Sequence, residues 1–243
     1  MRTLIGINIL TSIQAYAYAS HCQFWYRLGR IYPEDQFIFM TPPRMSIDRM
    51  RNECARIALE QECDYLMFID DDVVIPYTAY RDLMAMDYDI AAGFVVIRGY
   101  PFNVMLFKET YDDNGILRLP YYNDYFDNID AKGILKCGAV GFSCVLIKCS
   151  LLKELTLPYF MTGTQQTEDI YFCLKARKEI PSVTIGANFN VQCGHLGEPR
   201  IYTPDNRLLY KKMDEELNPS LIVPESTGDH NVEYVEKCLS SLV

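Results

Sequence analysis

No run of the 243 residues stays apolar for the ~18 positions that a membrane-spanning helix needs. Basic residues are outnumbered, 23 Lys and Arg against 32 Asp and Glu. The formal net charge of −9 gives the whole chain no general attraction to nucleic acid or to an anionic membrane, although a single cleft can differ from the total. Nine cysteines make an odd number, and no two have CxxC spacing. That argues against a disulfide framework or a structural zinc site and for reduced, mostly buried thiols in a cytosolic protein. No internal repeat or low-complexity tract is present. What the chain does have is apolar mass: 49% of its residues are hydrophobic and 13% aromatic, enough for a sizeable core and against disorder. The length fits one large domain, or one domain with an appendage.

The N-terminus imitates a leader, with TLIGINIL followed by AYAYAS and its A-x-A pattern. Asn8, Thr11 and Gln14 interrupt the apolar stretch and only one basic residue precedes it, so residues 3–10 are read as a buried first strand. A helix over 13–30, a short strand at 37–40 and the TPPR loop at 41–44 follow. Ser46 is placed to cap a helix over 47–62, with Ile47, Met50, Cys54, Ile57, Ala58 and Gln61 on one face and Arg51, Glu53, Arg56 and Glu60 elsewhere. A third strand at 65–69, a helix at 77–86 and a strand at 89–97 complete an alternating pattern, which predicts an α/β fold with a largely parallel sheet. The second half is less regular. Residues 99–133 read as a surface excursion or β-hairpins, 137–149 as a buried strand entered through a glycine-containing loop, and 167–179 as a helix capped by Thr167, with Ile170, Cys173, Leu174 and Arg177 on one face. A strand around 183–192 leads into CGHLG, where His195 is expected in a turn, and from about 204 the tail reads as two short amphipathic helices separated by PSLIVPESTGDH.

The stretch FIDDDVV puts Asp70, Asp71 and Asp72 at the carboxyl end of the third strand. Ligands bind at such strand ends in open α/β sheets. Asp70 and Asp72, two apart, can both reach one hard cation such as Mg²⁺ or Mn²⁺, which would offset their mutual repulsion. A solvated acidic turn remains the plainer alternative. Glu168 and Asp169, in the first turn of a helix, complement its dipole whatever else they do.

The ordered set of segments resembles the metal-dependent GT-A glycosyltransferases, especially the family-2-like group. The similarity rests on Arg51-Asn52 within IDRMRNECARIALEQECDYLMFIDDDVVIP, on GAVGFSCVLIKCSLLKEL at 138–155, on PYFMTGTQQTEDIYFCLKAR at 158–177, and on CGHLG at 193–197. It spans residues 3 to about 200. The resemblance implies a GT-A-like (Rossmann-like) mixed, largely parallel sheet flanked by helices, with a glycosyltransferase domain at 1–203 (nucleotide-sugar half about 1–98, acceptor half about 99–203) and a helical extension at 204–243. It further implies a nucleotide-diphosphate-sugar donor and Mn²⁺ or Mg²⁺. Asp70 or Asp71 would contact the ribose or the metal, Asp72 would coordinate the cation, and His195 would complete the ligand set. Asp169 would deprotonate the acceptor hydroxyl and Glu168 would orient the acceptor, giving inversion, with a retaining route left open. Arg44, Arg51 and Asn52 would meet the nucleotide or its diphosphate, since bidentate arginine suits phosphate. A solvated helix face is the alternative for them. Asn8 and Thr11 would lie near the base. Many members carry an aspartate after the second strand that reads uracil. Here Met40-Thr41 stands there, so the base is open. The acceptor could be a growing glycan, a lipid-linked sugar, a protein or a modified DNA base, the last less favoured by the negative charge. Gly141, Phe142 and part of 99–133 would wall the acceptor side, and a loop of that length can serve as a lid.

Three other readings compete. FIDDDVV also fits the nucleophile motif of haloacid-dehalogenase-like phosphatases. That motif normally ends the first strand of its domain, whereas two βα units precede it here and no later lysine-plus-GD pair follows. A nucleotidyltransferase of related architecture and a non-catalytic glycan- or protein-binding relative are the other two.

Overall fold

The computed structural model describes residues 1–9, 11–164, 166–197, 201–209 and 211–212, the side chains of 201 and 202 apart. The expected tail helices fall for the most part outside the described residues. Strand and helix alternate through the first half: β1 (Arg2–Asn8), α1 (Ala15–Ile31), β2 (Gln36–Met40), α2 (Ile47–Glu60), β3 (Tyr65–Asp70), the two-residue β4 (Val73–Val74), α3 (Ala79–Met84) and β5 (Ile90–Phe94). Then come β6 (Leu106–Phe107), β7 (Thr110–Tyr111), β8 (Leu117–Arg118), a 3₁₀ turn at Tyr125–Asn128, β9 (Ile134–Lys136), β10 (Ala139–Val140) and β11 (Cys144–Lys148). The chain continues with α4 (Cys149–Glu154), α5 (Glu168–Glu179), β12 (Ile185–Gln192), β13 (Gly194–Leu196) and β14 (Ile201–Tyr202).

Seven strands form the central sheet in the order β2-β1-β3-β11-β5-β12-β9. β2, β1, β3, β5 and β12 share one direction, while β11 and β9 run against them, so the sheet is mixed and largely parallel, as expected. Strands covered on both faces read as continuous apolar runs, and β1 and β3 do so, buried from Leu4 to Asn8 and from Leu66 to Ile69. Helix α2 lies very close to β1: a Cβ on Gly6 would stand 2.8 Å from Cys54 Sγ, so a side chain there would push the helix off the sheet.

Beneath the acid triplet sits an aromatic cluster. Phe160 stacks on Phe172 with centroids 4.6 Å apart, and both meet Phe142 edge-on, with Phe68 edge-on to Phe160. Such pairs add about 0.5–1.5 kcal/mol each beyond area burial. This cluster joins β3, β10–β11, the 158–160 segment and α5 into one block.

Several local expectations change. Helix α5 is buried continuously from Glu168 through Ala176, not along a single apolar face. Lys175 is tolerated there since its Nζ meets Thr156 Oγ1 and Glu179 Oε1, each at 2.8 Å. Residues 99–133 do form short hairpin pairings, but the segment is no mere surface excursion: Phe102, Val104, Leu106, Phe107, Leu119 and Tyr125 belong to the core. Cys149 starts α4 and does not close a strand. Ser46 occupies the cap position of α2, yet its side chain makes no cap bond. The eight cysteines among the described residues are free, seven of them buried, in keeping with reduced thiols. No described helix is long and apolar enough to cross a membrane.

Candidate active site

The carboxyl ends of β1 and β3 lie side by side, with Asn8 paired to Asp70 in the parallel register. Strand β13 brings in the histidine. It pairs antiparallel with β4, so that His195 stands opposite Val73, and the Leu196 amide donates to the Asp72 carbonyl at 2.8 Å. His195 is therefore in a strand and not in a turn. The glycine-flanked sequence concealed this because the partner strand is only two residues long.

The pairing carries His195 Nε2 to 3.5 Å from Asp72 Oδ1. The other ring nitrogen, Nδ1, is 2.7 Å from the Val96 carbonyl. A carbonyl can only accept, so Nδ1 carries a proton, and Nε2 is the ring nitrogen turned toward Asp72. Arg98, just past β5, meets the second Asp72 oxygen, Nη1 to Oδ2, at 2.8 Å. Burial raises the Asp72 carboxyl, but the His195 contact and the charges of His195 and Arg98 outweigh it and leave the group below its usual value.

Asp70 faces the other way. Arg51 reaches up from α2 and is only 3% exposed, against the expectation that it would lie off the buried face. Its guanidinium lies between the Phe68 and Phe142 rings, 5.5 and 5.4 Å from their centroids. Arg51 Nη2 donates to Asp70 Oδ1 at 3.3 Å, and Nη1 lies 3.0 Å from Glu168 Oε1. One buried arginine thus ties the end of β3 to the start of α5. Phe142, expected on an acceptor wall, is fully buried in this sleeve. Glu168 and Asp169 are buried as well. Burial raises the Glu168 carboxyl most, Arg51 pulls it down, Asp169 and Asp70 raise it again, and it comes to rest at about 7. Asp169 Oδ1 accepts from the Thr167 hydroxyl and, at 2.8 Å, from the Ile170 amide. Thr167 holds the cap position but spends its hydroxyl on this carboxylate and not on a backbone cap.

The remaining candidates divide. Asn8 is 2% exposed, and both atoms of its amide lack a hydrogen-bond partner among the described residues. Gln166, next to the Thr167–Asp169 turn, is in the same condition. Buried amides are almost always bonded, so each marks a position where a ligand or water has to supply partners. Thr11 and Arg44 are exposed on loops after β1 and before α2. Asn52 is drawn away: its Nδ2 donates to the Asp48 and Phe160 carbonyls at 2.8 and 2.7 Å, and its Oδ1 accepts from the Tyr159 and Phe160 amides at 3.0 and 3.2 Å. It is a bracket for the 158–160 segment. The Asp71 carbonyl accepts from the Gln14 amide at 3.4 Å, which fixes the loop entering α1.

The expected metal set of Asp70, Asp72 and His195 does not converge. Among the described residues no three of His, Cys, Asp and Glu come together, and Asp70 is engaged by Arg51. Asp72 and His195 do fit the protein's share of a Mg²⁺ or Mn²⁺ site, since these ions take one or two side chains and complete their shell with phosphate oxygens and waters. The Val96 carbonyl behind Nδ1 is the outer partner such a histidine ligand needs. Arg98 was not singled out in the sequence. It sits outside any motif, and its partners, Asp72 and the Leu196 carbonyl, belong to other parts of the chain.

No family model matches the sequence, and no curated protein matches it. Among solved structures, A197 from STIV is similar with a TM-score of 0.57 at 18% identity, covering 84% of this chain and 91% of that one. GalNAc-T7, solved with UDP, GalNAc and Mn²⁺, is similar with a TM-score of 0.56 at 12% identity, covering 80% of this chain and 44% of that one. This chain therefore spans less than half the length of that protein. The likeness is one of fold: the mixed sheet and its flanking helices are GT-A-like.

Proposed function

We propose that this chain is a glycosyltransferase that takes its sugar from a nucleotide-diphosphate donor and uses Mn²⁺ or Mg²⁺. The observation that carries the reading is the placement, at one end of one sheet, of the Asp72–His195 pair beside the buried Arg51 that links Asp70 to Glu168. The chemistry of a Mn²⁺-bearing fold neighbour with a nucleotide and a sugar in place is consistent with it.

Asp72 and His195 would hold the cation, which when bound supplies positive charge against the diphosphate. Asn8, buried and unpartnered, would find its hydrogen bonds on the nucleoside. Arg51 would do its work indirectly, as a strut that keeps Asp70 and the α5 terminus at fixed separation. Asp169 would take the proton of the acceptor hydroxyl, its carboxylate aimed by the Thr167 hydroxyl and the Ile170 amide, and the outcome would be inversion. The upward shift of Glu168 favours a second assignment in which Glu168 is the proton acceptor, since a base poised near neutral pH is the more effective one. Asp169→Asn and Glu168→Gln, compared by kcat, separate the two: the base variant loses turnover and keeps donor affinity. The acceptor stays open among a glycan, a lipid-linked sugar, a protein and a modified DNA base. The free buried thiols favour a reducing compartment such as the cytoplasm.

A thermal-shift screen of nucleotide-sugars, with and without Mn²⁺, tests the proposal. At least one donor should raise the midpoint only when Mn²⁺ is present, and Asp72→Asn should abolish that rise. A panel in which no donor stabilises the wild type would sink the reading, and a shift that survives Asp72→Asn would remove Asp72 from it.

A further inference from the structure

We propose that Arg98 is a resident cation on Asp72, which a divalent metal displaces, and that the displaced guanidinium then binds the diphosphate of the donor. The inference rests on the transferase reading above. It starts from how Asp72 is shared: Oδ1 faces His195 at 3.5 Å, and Oδ2 faces Arg98 at 2.8 Å. A metal held by this carboxylate would meet a guanidinium already on it. An arginine cannot yield by losing its proton, so it has to share the carboxylate or move.

The surroundings allow movement. The Arg98 side chain is 50% exposed, and its other hydrogen bond among the described residues, to the Leu196 carbonyl, is long at 3.4 Å. Asp72 itself is only 16% exposed, so the mobile member of the pair is the arginine, whose open side lets it leave the carboxylate. Gly99 beside it has no atom within 4 Å of where a Cβ would be, so the chain next to Arg98 borders open space. Arg51 at the same end of the sheet is the opposite case, buried and ringed by phenylalanines. Once off Asp72, the guanidinium stands beside the cation's ligands, where diphosphate oxygens would lie, and a planar fork of donors matches two phosphate oxygens. It would also meet the negative charge that grows on the departing nucleoside diphosphate.

The two roles have opposite signs, and that makes the proposal testable apart from turnover. Mn²⁺ binding is followed by electron paramagnetic resonance of the free ion, and inorganic pyrophosphate is titrated calorimetrically at saturating Mn²⁺, so the unknown base does not matter. The full-length wild type, Arg98→Gln, Arg98→Lys and Asp72→Asn are compared. Arg98→Gln should bind Mn²⁺ alone about 5-fold tighter or more, and pyrophosphate at saturating Mn²⁺ about 5-fold weaker or more, a coupling of ordinary size between neighbouring sites. Arg98→Lys should fall between Arg98→Gln and the wild type on both. A plain surface ion pair would move neither reading, and that result, or a change of the same sign in both, overturns the proposal. If wild type binds Mn²⁺, Asp72→Asn does not, and Arg98→Gln behaves as wild type, the inference about Arg98 falls while the metal site stands. If the wild type binds no Mn²⁺, both fall.

Discussion

Asp70 and Asp72 leave the same strand end two residues apart, and each carboxylate meets an arginine, but the two arginines live in different worlds. Arg51 is 3% exposed, packed between two phenylalanine rings and ion-paired on both sides with acids. Arg98 is half exposed and reaches Asp72 from an open loop. The buried pair is costly to break and built to stay, because removing one partner strands the other's charge away from water. In the second pair the arginine is half in water, so it can leave Asp72 without being stranded and is free to exchange its partner. A site of the proposed kind would use both: fixed geometry around the proton acceptor, and exchangeable charge where a metal and a diphosphate would come and go.

The sharpest way to break this contrast is Arg51→Ala. It leaves Asp70 and Glu168 without their shared cation, and a loss of about 3–5 kcal/mol in unfolding free energy is expected from urea titration. A loss below about 0.5 kcal/mol would mean that the cluster is not held as described, since that is the scale of an ordinary surface change. Asp72→Asn should do the reverse. Sugar transfer should fall about 10²–10³-fold, the scale of losing one preorganised electrostatic partner. Its loss of stability should be smaller than that of Arg51→Ala, since Asn keeps the shape of the half-shielded Asp72 and the Arg98 it releases is already half exposed.

Asn52→Ala sits between these. It removes both carbonyl-directed donors and the acceptor for two amides at 158–160, and about 1–3 kcal/mol of stability should go with the unsatisfied backbone groups. If Asn52 instead bound nucleotide, donor affinity would fall and stability would hold. The smallest effect is in pH dependence. The native Glu168 carboxyl keeps its proton to about 7, against 4.5 in the ordinary state. Its folded value is raised, so the stability it contributes is fully present below about 4.5 and is lost as pH rises through about 7. Activity should show the opposite slope, rising as Glu168 ionises. Glu168→Gln should flatten the acidic limb of the kcat/KM profile near 7, and a limb that persists unchanged in that variant would assign it to another group.

Much of the fold was legible in residue patterning. Alternating apolar strands and amphipathic helices placed β1, α1, β2, α2 and β3 within a few residues of where they lie, and Thr167 fell on its cap position. The site was legible only as a set of residue types. A helical wheel puts Arg51 with the polar residues because it counts apolar positions. Nothing local reveals two phenylalanines from β3 and from the loop before β11 waiting to enclose it. Asn52 looked like half of a ligand-binding pair because its true partners lie more than a hundred residues away. His195 was found, but its strand was not, and Arg98 stayed out of view because its contact with Asp72 joins segments that are apart in sequence. In each case the missing information was long-range contact, which periodicity does not encode.

The most direct test is to measure the nucleoside diphosphate released from a nucleotide-sugar by the wild type and by Asp72→Asn, with and without Mn²⁺. The wild type should release it in a Mn²⁺-dependent manner, slowly without acceptor, and Asp72→Asn should reduce release to the level seen without metal. Release that ignores both the metal and the substitution, or release of inorganic phosphate from a simple aryl phosphate in its place, would contradict the account.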